Sequence, residues 1–325
     1  MALHQKRVLI TGITGQDGSF LAEYLLEQGV DVFGMHRRTA TPNRMHIEQI
    51  ADRLTLVEGD LTDLSSLISI LDEVQPDCVY NLASQSFVPT SWKQPLFTSQ
   101  VTGLGALQLF EATRIVNPKI RIYQASSSEM FGTSTLERQN EQTPLIPNSP
   151  YGTAKVFAHQ MAKNYREAYD MFISCGILFN HESERRGLQF VTKKIAVSVA
   201  NIKKGTQKKL FLGNIQAKRD WGFAGDYVKA MVDILEYGRP DVFVIGTGIT
   251  NRVQDFVEIA FEMVGLDWRD FVEIDPQLYR KAEIDALCAD CKKARDVLGW
   301  QATTSFSGLV QRMVRHELHK HEFNS

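Results

Sequence analysis

The chain of 325 residues lacks several features that mark specialised classes of protein. No apolar run reaches the roughly 18 residues of a membrane span. Lysine plus arginine (36) nearly balance aspartate plus glutamate (38), which leaves no excess of basic residues for a nucleic acid. The N-terminal residues enter a strand pattern directly and show no secretory signal. We therefore expect a cytoplasmic protein that binds neither nucleic acid nor membrane.

Cysteine is scarce, with four residues in the chain. Cys78 and Cys175 lie in apolar, strand-like runs and are expected to be small core residues. Cys288 and Cys291 have CxxC spacing, but there is no second pair and no nearby histidine to complete a zinc site. We expect two unpaired thiols in a reducing cytoplasm and no metal site.

Short apolar runs alternate with helical stretches through the first half of the chain. The strand-like runs are residues 7–12, 31–36, 54–60, 78–83, 121–127 and 172–179, and the helical stretches between them include 18–29, 64–74 and 103–116. This alternation predicts right-handed βαβ units and a parallel sheet. Strands so apolar need helices on both faces. We predict an α/β fold with a Rossmann-type, doubly wound parallel sheet.

The pattern changes after about residue 180. The polar stretch 180–190 predicts a loop, and a short strand is predicted near 208–214. Apolar residues 241–248 predict a buried strand that could rejoin the main sheet. Further helices are predicted at 191–205, 225–238, 253–265 and 305–321. We assign residues 1–178 with 222–248 to a dinucleotide-binding domain, and 179–221 with 249–325 to a smaller, discontinuous substrate domain.

A glycine-rich turn joins the first predicted strand to the first helix. Gly12, Gly15 and Gly18 allow a tight turn and close approach of a pyrophosphate to the backbone. The helix N-terminus then offers N–H groups and the positive end of its dipole to that anion. The spacing is GxxGxxG, one residue longer in its first gap than the dinucleotide fingerprint. The context predicts a nucleotide site.

The end of the second predicted strand indicates which dinucleotide binds. An acidic residue there would bind the ribose 2′-hydroxyl of NAD. Arg37 and Arg38 stand in its place, and guanidinium forks suit a 2′-phosphate. The sequence therefore favours NADP over NAD. Asp60 and Leu61 end the third strand, where the adenine ring is expected.

A serine cluster with a glutamate precedes a tyrosine and a lysine. Ser127 and Glu129 follow the fifth predicted strand, and Tyr151 and Lys155 lie four residues apart at the start of a helix, on one face. An ammonium group near a phenol stabilises the phenolate, so we expect the pKa of Tyr151 to fall. The combination predicts proton transfer at a hydroxyl beside a dinucleotide.

Together these motifs resemble the GDP-mannose 4,6-dehydratase family of the extended short-chain dehydrogenase/reductase superfamily. The resemblance covers nearly the whole chain and rests on "GITGQDGSFLAEYLLEQG", "YNLASQSFV", "SPYGTAK", "GILFNHESERRG", "FVTKKI" and "LGNIQAKRDWGFAGDYVKAM". It implies a Rossmann domain with a small C-terminal substrate domain, and an NADP-dependent hydro-lyase. Such an enzyme oxidises C4 of GDP-mannose, eliminates water across C5 and C6, and returns the hydride to C6.

The resemblance also implies a role for each matching residue. Tyr151 would be the base at the C4 hydroxyl, Ser127 would hydrogen-bond that oxygen, and Glu129 would take the C5 proton. Lys155 would hold the ribose and tune Tyr151. The implied cofactor contacts are Gly12, Thr14, Gly15, Gln16, Asp17, Gly18, Arg37, Arg38, Asp60, Leu61, Leu82, Ala83, Ser84, Lys155, His181 and Arg186. The implied substrate contacts are Gln85, Ser86, Ser128, Asn180, Lys194, Arg219, Arg280 and Glu283.

Two departures from the family pattern bear on rate and substrate. The family usually has threonine at Ser127, so the hydroxyl is kept but its β-methyl restraint is lost. The segment 280–294 lacks the family's proline and its "GDP" turn, which leaves the sugar, hexose or heptose, and the base open. Two alternatives remain: a reductase or epimerase of the same superfamily acting on a 4-keto sugar nucleotide, and a non-catalytic NADP-binding sensor. Glu129 favours the dehydratase over both.

We also expect a homo-oligomer. The stretches 103–116 and 156–169 carry apolar residues on more than one side, and such faces pair isologously in a dimer. The resemblance implies a tetramer built from dimers, in which the arginine loop after the second strand reaches a neighbour's cofactor site.

Overall fold

The computed structural model describes residues 6–41, 43–279 and 286–320. Its strands are β1 (Arg7–Thr11), β2 (Asp31–His36), β3 (Thr55–Glu58), β4 (Cys78–Asn81), β5 (Arg121–Ser127), β6 (Ile173–Leu178), β7 (Asn180–Glu182), β8 (Leu210–Leu212), β9 (Lys218–Phe223), β10 (Val242–Ile245), β11 (Thr250–Arg252), β12 (Val272–Ile274) and β13 (Ala286–Leu287).

Helices flank these strands. They are α1 (Gln16–Glu27), α2 (Leu64–Val74), α3 (Val88–Lys93), α4 (Pro95–Thr98), α5 (Gly105–Val116), α6 (Pro150–Tyr169), α7 (Val191–Lys203), α8 (Ala224–Glu236), α9 (Val253–Glu262) and α10 (Phe306–His319). Short helical turns of other types are Glu48–Ile50, Ser99–Leu104, Ser128–Met130, Trp268–Asp270, Pro276–Leu278 and Ala294–Leu298.

Seven strands form one parallel sheet in the order β10-β6-β5-β4-β1-β2-β3. The strand β1 pairs with β2 on one side and with β4 on the other, so the chain order reverses there. In open α/β sheets this reversal opens a crevice at the carboxyl ends of the strands. The order confirms the predicted Rossmann-type sheet. The predicted strand at 241–248 joins it as β10, which pairs with β6.

Side chains alternate between the two faces of the sheet because successive residues of a strand point in opposite directions. Val8 and Ile10 of β1 belong to a core cluster packed with residues of α1 and α8. Leu9, between them, belongs to a second cluster packed with residues of α2, α5 and α6. Both faces are therefore covered, which is why the strands read as continuous apolar runs.

The rest of the chain forms smaller units around a third core cluster from α7, α9 and α10. The strand β9 pairs with β7, β11 and β13, and β8 pairs with β12. The loop predicted at 180–190 is wrong at its start, because Asn180–Glu182 is the strand β7. This short polar strand forms by pairing with β9, which lies forty residues further along, as in Asn180↔Trp221. The division into two domains stays a prediction.

Candidate active site

A cleft of about 1000 Å³ opens at the carboxyl ends of the central strands. The predicted catalytic residues Ser127, Glu129, Tyr151 and Lys155 line it. So do the predicted contact residues Gly12, Thr14, Gly15, Gln16, Asp17, Gly18, Arg37, Asp60, Leu61, Leu82, Ala83, Ser84, Gln85, Ser86, Ser128, Asn180, His181, Arg186, Lys194 and Arg219.

Three predicted contact residues are not among those that line the cleft in the described structure. Arg37 and Arg38 are both exposed, and of the two Arg37 lines the cleft. Arg280 and Glu283 lie outside the described residues.

The glycine turn between β1 and α1 requires the absence of side chains. Gly12 has a φ of +72°, and a Cβ there would lie 3.0 Å from Cα and N of Ala83. A Cβ at Gly18 would lie 2.4 Å from the carbonyl oxygen of Gly12. The helix α1 begins at Gln16, and among the described residues no side chain caps it. Its first N–H groups therefore suit an anion, so the turn fits a dinucleotide pyrophosphate.

A buried hydrogen-bond chain aligns the ends of β1, β4 and β5. The Thr11 hydroxyl donates to Oδ1 of Asn81 (2.8 Å) and accepts from the backbone N–H groups of Leu82 and Ala83 (both 3.1 Å). The Asn81 amide in turn donates to Gln124 (2.7 Å). These bonds hold residues 82–84 against the glycine turn. The sequence carries no signal for them, since each bond joins residues that are far apart in the chain.

Asp17 and His181 form a partly buried ion pair between α1 and β7. Nδ1 of His181 lies 2.7 Å from the carbonyl oxygen of Phe179, and Nε2 lies 2.8 Å from Oδ2 of Asp17. Both ring nitrogens face acceptors, so the imidazole must carry two protons. Burial disfavours the charged form of each group, whereas the opposite charge of its partner stabilises it. The pKa of Asp17 is lowered to about 2, and that of His181 is raised.

Tyr151 and Glu129 meet where α6 begins. The hydroxyl of Ser149 caps α6 by accepting from the N–H of Gly152 (3.0 Å). A Cβ at Gly152 would lie 2.6 Å from the carbonyl oxygen of Glu129, so only glycine lets the helix approach the turn after β5. Glu129 is 8% exposed and Tyr151 7%, which leaves both largely shielded from water.

The Tyr151 phenol differs from the expectation based on spacing. Burial raises its pKa to about 12, a hydrogen bond with Ser127 opposes this shift, and the negative charge of Glu129 adds to it. The expected fall in the pKa of Tyr151 is therefore wrong for this structure. Nζ of Lys155 donates to the carbonyl oxygen of Ala125 (2.7 Å) and lies 5.8 Å from the centre of the Tyr151 ring. Burial lowers the pKa of Lys155 to about 8.

The opposite wall of the cleft carries cations and aromatic rings. Arg219 of β9 is buried, and Lys194 of α7 donates to the carbonyl oxygen of Phe211 (2.6 Å). Arg186 pairs with Glu182 (3.0 Å) and lies 3.5 Å from the centre of the Phe190 ring. The sequence analysis missed the aromatic lining, because it comes from separate elements without a shared motif. Its members are Phe87, Trp92, Phe97, Phe179, Phe190, Trp221 and Tyr279.

The CxxC pair lies away from the cleft. Cys288 and Cys291 are free thiols, and burial raises the pKa of both, so neither forms a thiolate readily. The backbone here is structural, since the N–H of Cys288 donates to Gln139 (2.9 Å) and that of Ala289 to Asp220 (3.1 Å). Within residues 6–41, 43–279 and 286–320, no group of three metal-binding side chains occurs.

Comparison with known proteins decides the family. A family model described as GDP-mannose 4,6 dehydratase matches residues 9–313. The chain belongs to the GDP-mannose 4,6-dehydratase family. A relative described as GDP-mannose 4,6 dehydratase 1, from Arabidopsis thaliana, is 48% identical over 326 residues and aligns with 97% of this chain and 90% of its own length. The resemblance inferred from the motifs is confirmed.

Solved structures of lower identity share the fold of this chain. The dTDP-glucose 4,6-dehydratase DesIV from Streptomyces venezuelae, solved with NAD, has a TM-score of 0.87 at 23% identity, covering 98% of both chains. RMD from Pseudomonas aeruginosa, solved with NADPH, has a TM-score of 0.80 at 21% identity, covering 97% of this chain and 100% of its own. In the described part of the chain, no helix is long and apolar enough to cross a membrane.

Proposed function

We propose that the protein catalyses the NADP-dependent 4,6-dehydration of GDP-mannose to GDP-4-keto-6-deoxymannose. The observation that carries the proposal is a buried carboxylate, Glu129, in the same cleft as Ser127, Tyr151 and Lys155, beside a turn suited to a pyrophosphate. A tyrosine, a lysine and a hydroxyl suffice for a reductase or an epimerase. The carboxylate adds the acid–base group that elimination of water requires.

Tyr151 would remove the proton of the C4 hydroxyl, with Ser127 hydrogen-bonded to the same oxygen. When bound, the oxidised dinucleotide supplies a hydride acceptor for C4, a positively charged ring and the hydride returned to C6. Positive charge beside a phenol favours the phenolate, which counters the burial that raises the pKa of Tyr151 to about 12. Lys155, with its pKa lowered to about 8, would stay largely protonated near pH 7 and hold the ribose.

Glu129 would perform the elimination. Oxidation at C4 makes the C5 proton acidic, because the resulting carbanion is delocalised into the new ketone. The Glu129 carboxylate would take this proton and pass it to the C6 hydroxyl, which leaves as water. Reduction at C6 and protonation at C5 complete the 6-deoxy sugar and restore the dinucleotide. Glu129 and Tyr151 line the same cleft, as action on adjacent carbons of one sugar would require.

The preference for NADP is proposed from the end of β2. Arg37 follows this strand directly and lines the cleft, where an NAD enzyme would carry an acidic residue. Its guanidinium suits a 2′-phosphate. Arg38 does not line the cleft, so we assign the intramolecular contact to Arg37 alone. GDP and mannose are proposed from the family, with Asn180, Lys194 and Arg219 as candidate partners for the diphosphate and guanosine.

We also propose that the α5–α6 face joins two copies of the chain. Four large apolar side chains are exposed there or just before α5, namely Leu104, Ile115, Phe157 and Tyr169. An apolar face of this kind pairs isologously. A tetramer with Arg38 at a neighbour's site would extend this arrangement. Sedimentation velocity tests it: the parent should sediment as an oligomer and Phe157→Asp as a smaller species, whereas a monomeric parent contradicts the proposal.

The dehydratase proposal is tested by the products formed from a panel of nucleotide sugars with NADP⁺. Mass spectrometry should show loss of one water from GDP-mannose. Glu129→Gln should lower the dehydration rate by about 10² to 10⁴-fold, the usual contribution of a positioned base. Glu167→Gln is the matched control, because that carboxylate lies exposed on α6. An unchanged Glu129→Gln rate contradicts the assigned role, and reduction of a 4-keto sugar without dehydration would favour the reductase.

A further inference from the structure

His181, Ser183 and Arg185 bind the first two turns of α1 through their side chains. The contacts are His181 with Asp17 (2.8 Å), Ser183 with Gln16 (2.7 Å), and Arg185 with Ser19 (2.9 Å) and Glu23 (2.7 Å). The strand β7 ends at Glu182, and the backbone N–H of Arg186 donates to the carbonyl oxygen of Ser183 (3.1 Å), so residues 183–186 form a turn. Gln16, Ser19 and Glu23 recur at helical spacing and share a face of α1, and Asp17 lies beside them in its first turn. Contacts of the odd-numbered residues therefore run along two turns of the helix that begins at the glycine turn.

Arg185 makes the most extensive of these contacts. Its guanidinium donates to Oγ of Ser19 and to Oε1 of Glu23, and its central carbon lies 4.1 Å from the centre of the Phe20 ring. The Arg185 side chain is 13% exposed and that of Glu23 22%, so water screens this ion pair only partly. A planar fork held at two acceptors and against a ring has one well-defined geometry.

The neighbours of Arg185 belong to the cleft, although Arg185 itself does not line it. His181, Glu182 and Arg186 all line the cleft, and Arg186 follows Arg185 directly in the chain. Displacement of Arg185 from α1 would therefore move Arg186 and loosen His181 from Asp17. The first turn of α1 and the cleft-lining residues His181, Glu182 and Arg186 would then no longer be held in fixed positions relative to each other.

We propose that Arg185 is a positioning residue for the dinucleotide site, acting through α1 and Arg186. The inference rests on the proposed use of a nicotinamide dinucleotide. The guanidinium fixes residues 181–186 against the helix whose N-terminus faces the pyrophosphate. Affinity for the dinucleotide then depends on a side chain that does not touch it.

The same segment offers a matched control. Glu184, adjacent to Arg185, points the other way and pairs with Arg312 of α10 through two bonds of 2.7 and 2.6 Å. The side chain of Arg312 is 47% exposed and does not contact α1 through this pair. Arg312→Met therefore breaks an ion pair of the same segment without releasing it from the nucleotide helix.

The experiment is a calorimetric titration of NADP⁺ and NAD⁺ into the parent, Arg185→Met, Arg185→Lys, Glu23→Gln and Arg312→Met. Circular dichroism at the titration temperature confirms that each is folded. Arg185→Met should raise the Kd of the preferred dinucleotide by about fivefold or more, the lower end of typical coupling between sites. Arg185→Lys should lie between, since lysine keeps the charge but lacks the fork. Arg312→Met should leave Kd unchanged.

A second readout separates positioning from general stability. In a double-mutant cycle, Arg185→Met and Glu23→Gln should raise Kd less than additively, because each breaks the same contact. Gln49 also donates to Glu23, so Gln49→Ala serves as a further control with unchanged Kd.

An unchanged Kd in Arg185→Met overturns the inference, as does an equal rise in Arg312→Met. If Arg185→Met does not fold, Arg185→Lys and Glu23→Gln decide by the same criterion. A parent that binds neither dinucleotide overturns both this inference and the proposed function. A parent that binds NADP⁺ but forms no dehydrated sugar overturns the proposed function alone.

Discussion

Replacement of His181 by glutamine should destabilise the protein in a way that depends on pH. The change removes the positive half of an ion pair in which the side chain of Asp17 is 25% exposed, so the cost of breaking a fully buried pair is an upper bound. The pair lowers the pKa of Asp17 from 3.8 to about 2, which corresponds to roughly 2 kcal/mol of stability. Removing one partner of a buried pair costs about 3 to 5 kcal/mol in other proteins. We expect the free energy of unfolding to fall by about 2 to 4 kcal/mol at pH 6.

The pH dependence follows from the direction of each shift. The pKa of His181 is raised above 6.5, so its contribution is complete below pH 6.5 and is lost as the pH rises through the folded-state value. The pKa of Asp17 is lowered, so its contribution is complete above pH 3.8 and is lost as the pH falls through about 2. The pair therefore stabilises the fold most between pH 3.8 and 6.5.

Urea unfolding, followed by far-ultraviolet circular dichroism between pH 5 and pH 9, measures this prediction. The parent should lose more stability on the alkaline side than His181→Gln, so the two curves should converge as the pH rises. Asp17→Asn is the companion variant, and the double variant should cost less than the sum of the single changes. Equal stability of His181→Gln and parent at pH 6, or parallel curves across the range, would refute the assignment of a charged pair.

Further predictions concern the cofactor, the proton balance and the packing of the site. Arg37→Ser should lower the preference for NADP⁺ over NAD⁺ by about 10- to 150-fold, which corresponds to one charge-assisted hydrogen bond. Calorimetric titration of both dinucleotides measures this preference, and an unchanged ratio of the two Kd values would show that Arg37 is not the contact. Since burial lowers the pKa of Lys155 to about 8, kcat/KM should decline above that pH, and a pH–rate profile flat to pH 10 would contradict a charged Lys155. Tyr151→Phe should abolish formation of reduced cofactor in stopped-flow absorbance, and persistence of that signal would exclude the phenol as base. Gly152→Ala places a Cβ 2.6 Å from the Glu129 carbonyl oxygen. It should lower the free energy of unfolding by about 1 to 3 kcal/mol, measured by thermal or urea unfolding, and reduce turnover. Parent-like stability and turnover would show that the two segments can separate without cost.

Local patterns in the sequence were enough to predict the central sheet. Each buried strand is a short apolar run, and each helix has its own periodicity. The burial of residues such as Val8–Ile10 can therefore be predicted from their immediate neighbours in the sequence. The requirement for Gly18 is equally local, because a Cβ there would contact Gly12 within the turn, whereas a Cβ at Gly12 would contact Ala83, which follows β4 much further along the chain. The pair Tyr151 and Lys155 shares a helix face by spacing alone.

Features that depend on distant segments were decided by the tertiary structure. The strand β7 is polar and three residues long, and it exists through pairing with β9. Spacing placed Lys155 near Tyr151, but in the fold its ammonium group donates to the Ala125 carbonyl oxygen. Burial raises the pKa of Tyr151, where the spacing predicted a fall, and it lowers the pKa of Lys155. The sequence predicted Arg37 and Arg38 together as cofactor contacts, whereas in the structure Arg37, of the two, lines the cleft.

The same distinction explains the ion pair and the Arg185 contacts. Asp17 and His181 are separated by 164 positions, and no periodicity relates them. Arg185 and Glu23 are separated by 162 positions, yet both pairs join residues 181–185 to the first two turns of α1. Helix and strand periodicity act over a few residues and therefore can be read from the chain. Charge pairing, burial and the resulting pKa shifts arise between segments, and they take their values from the packing that brings those segments together.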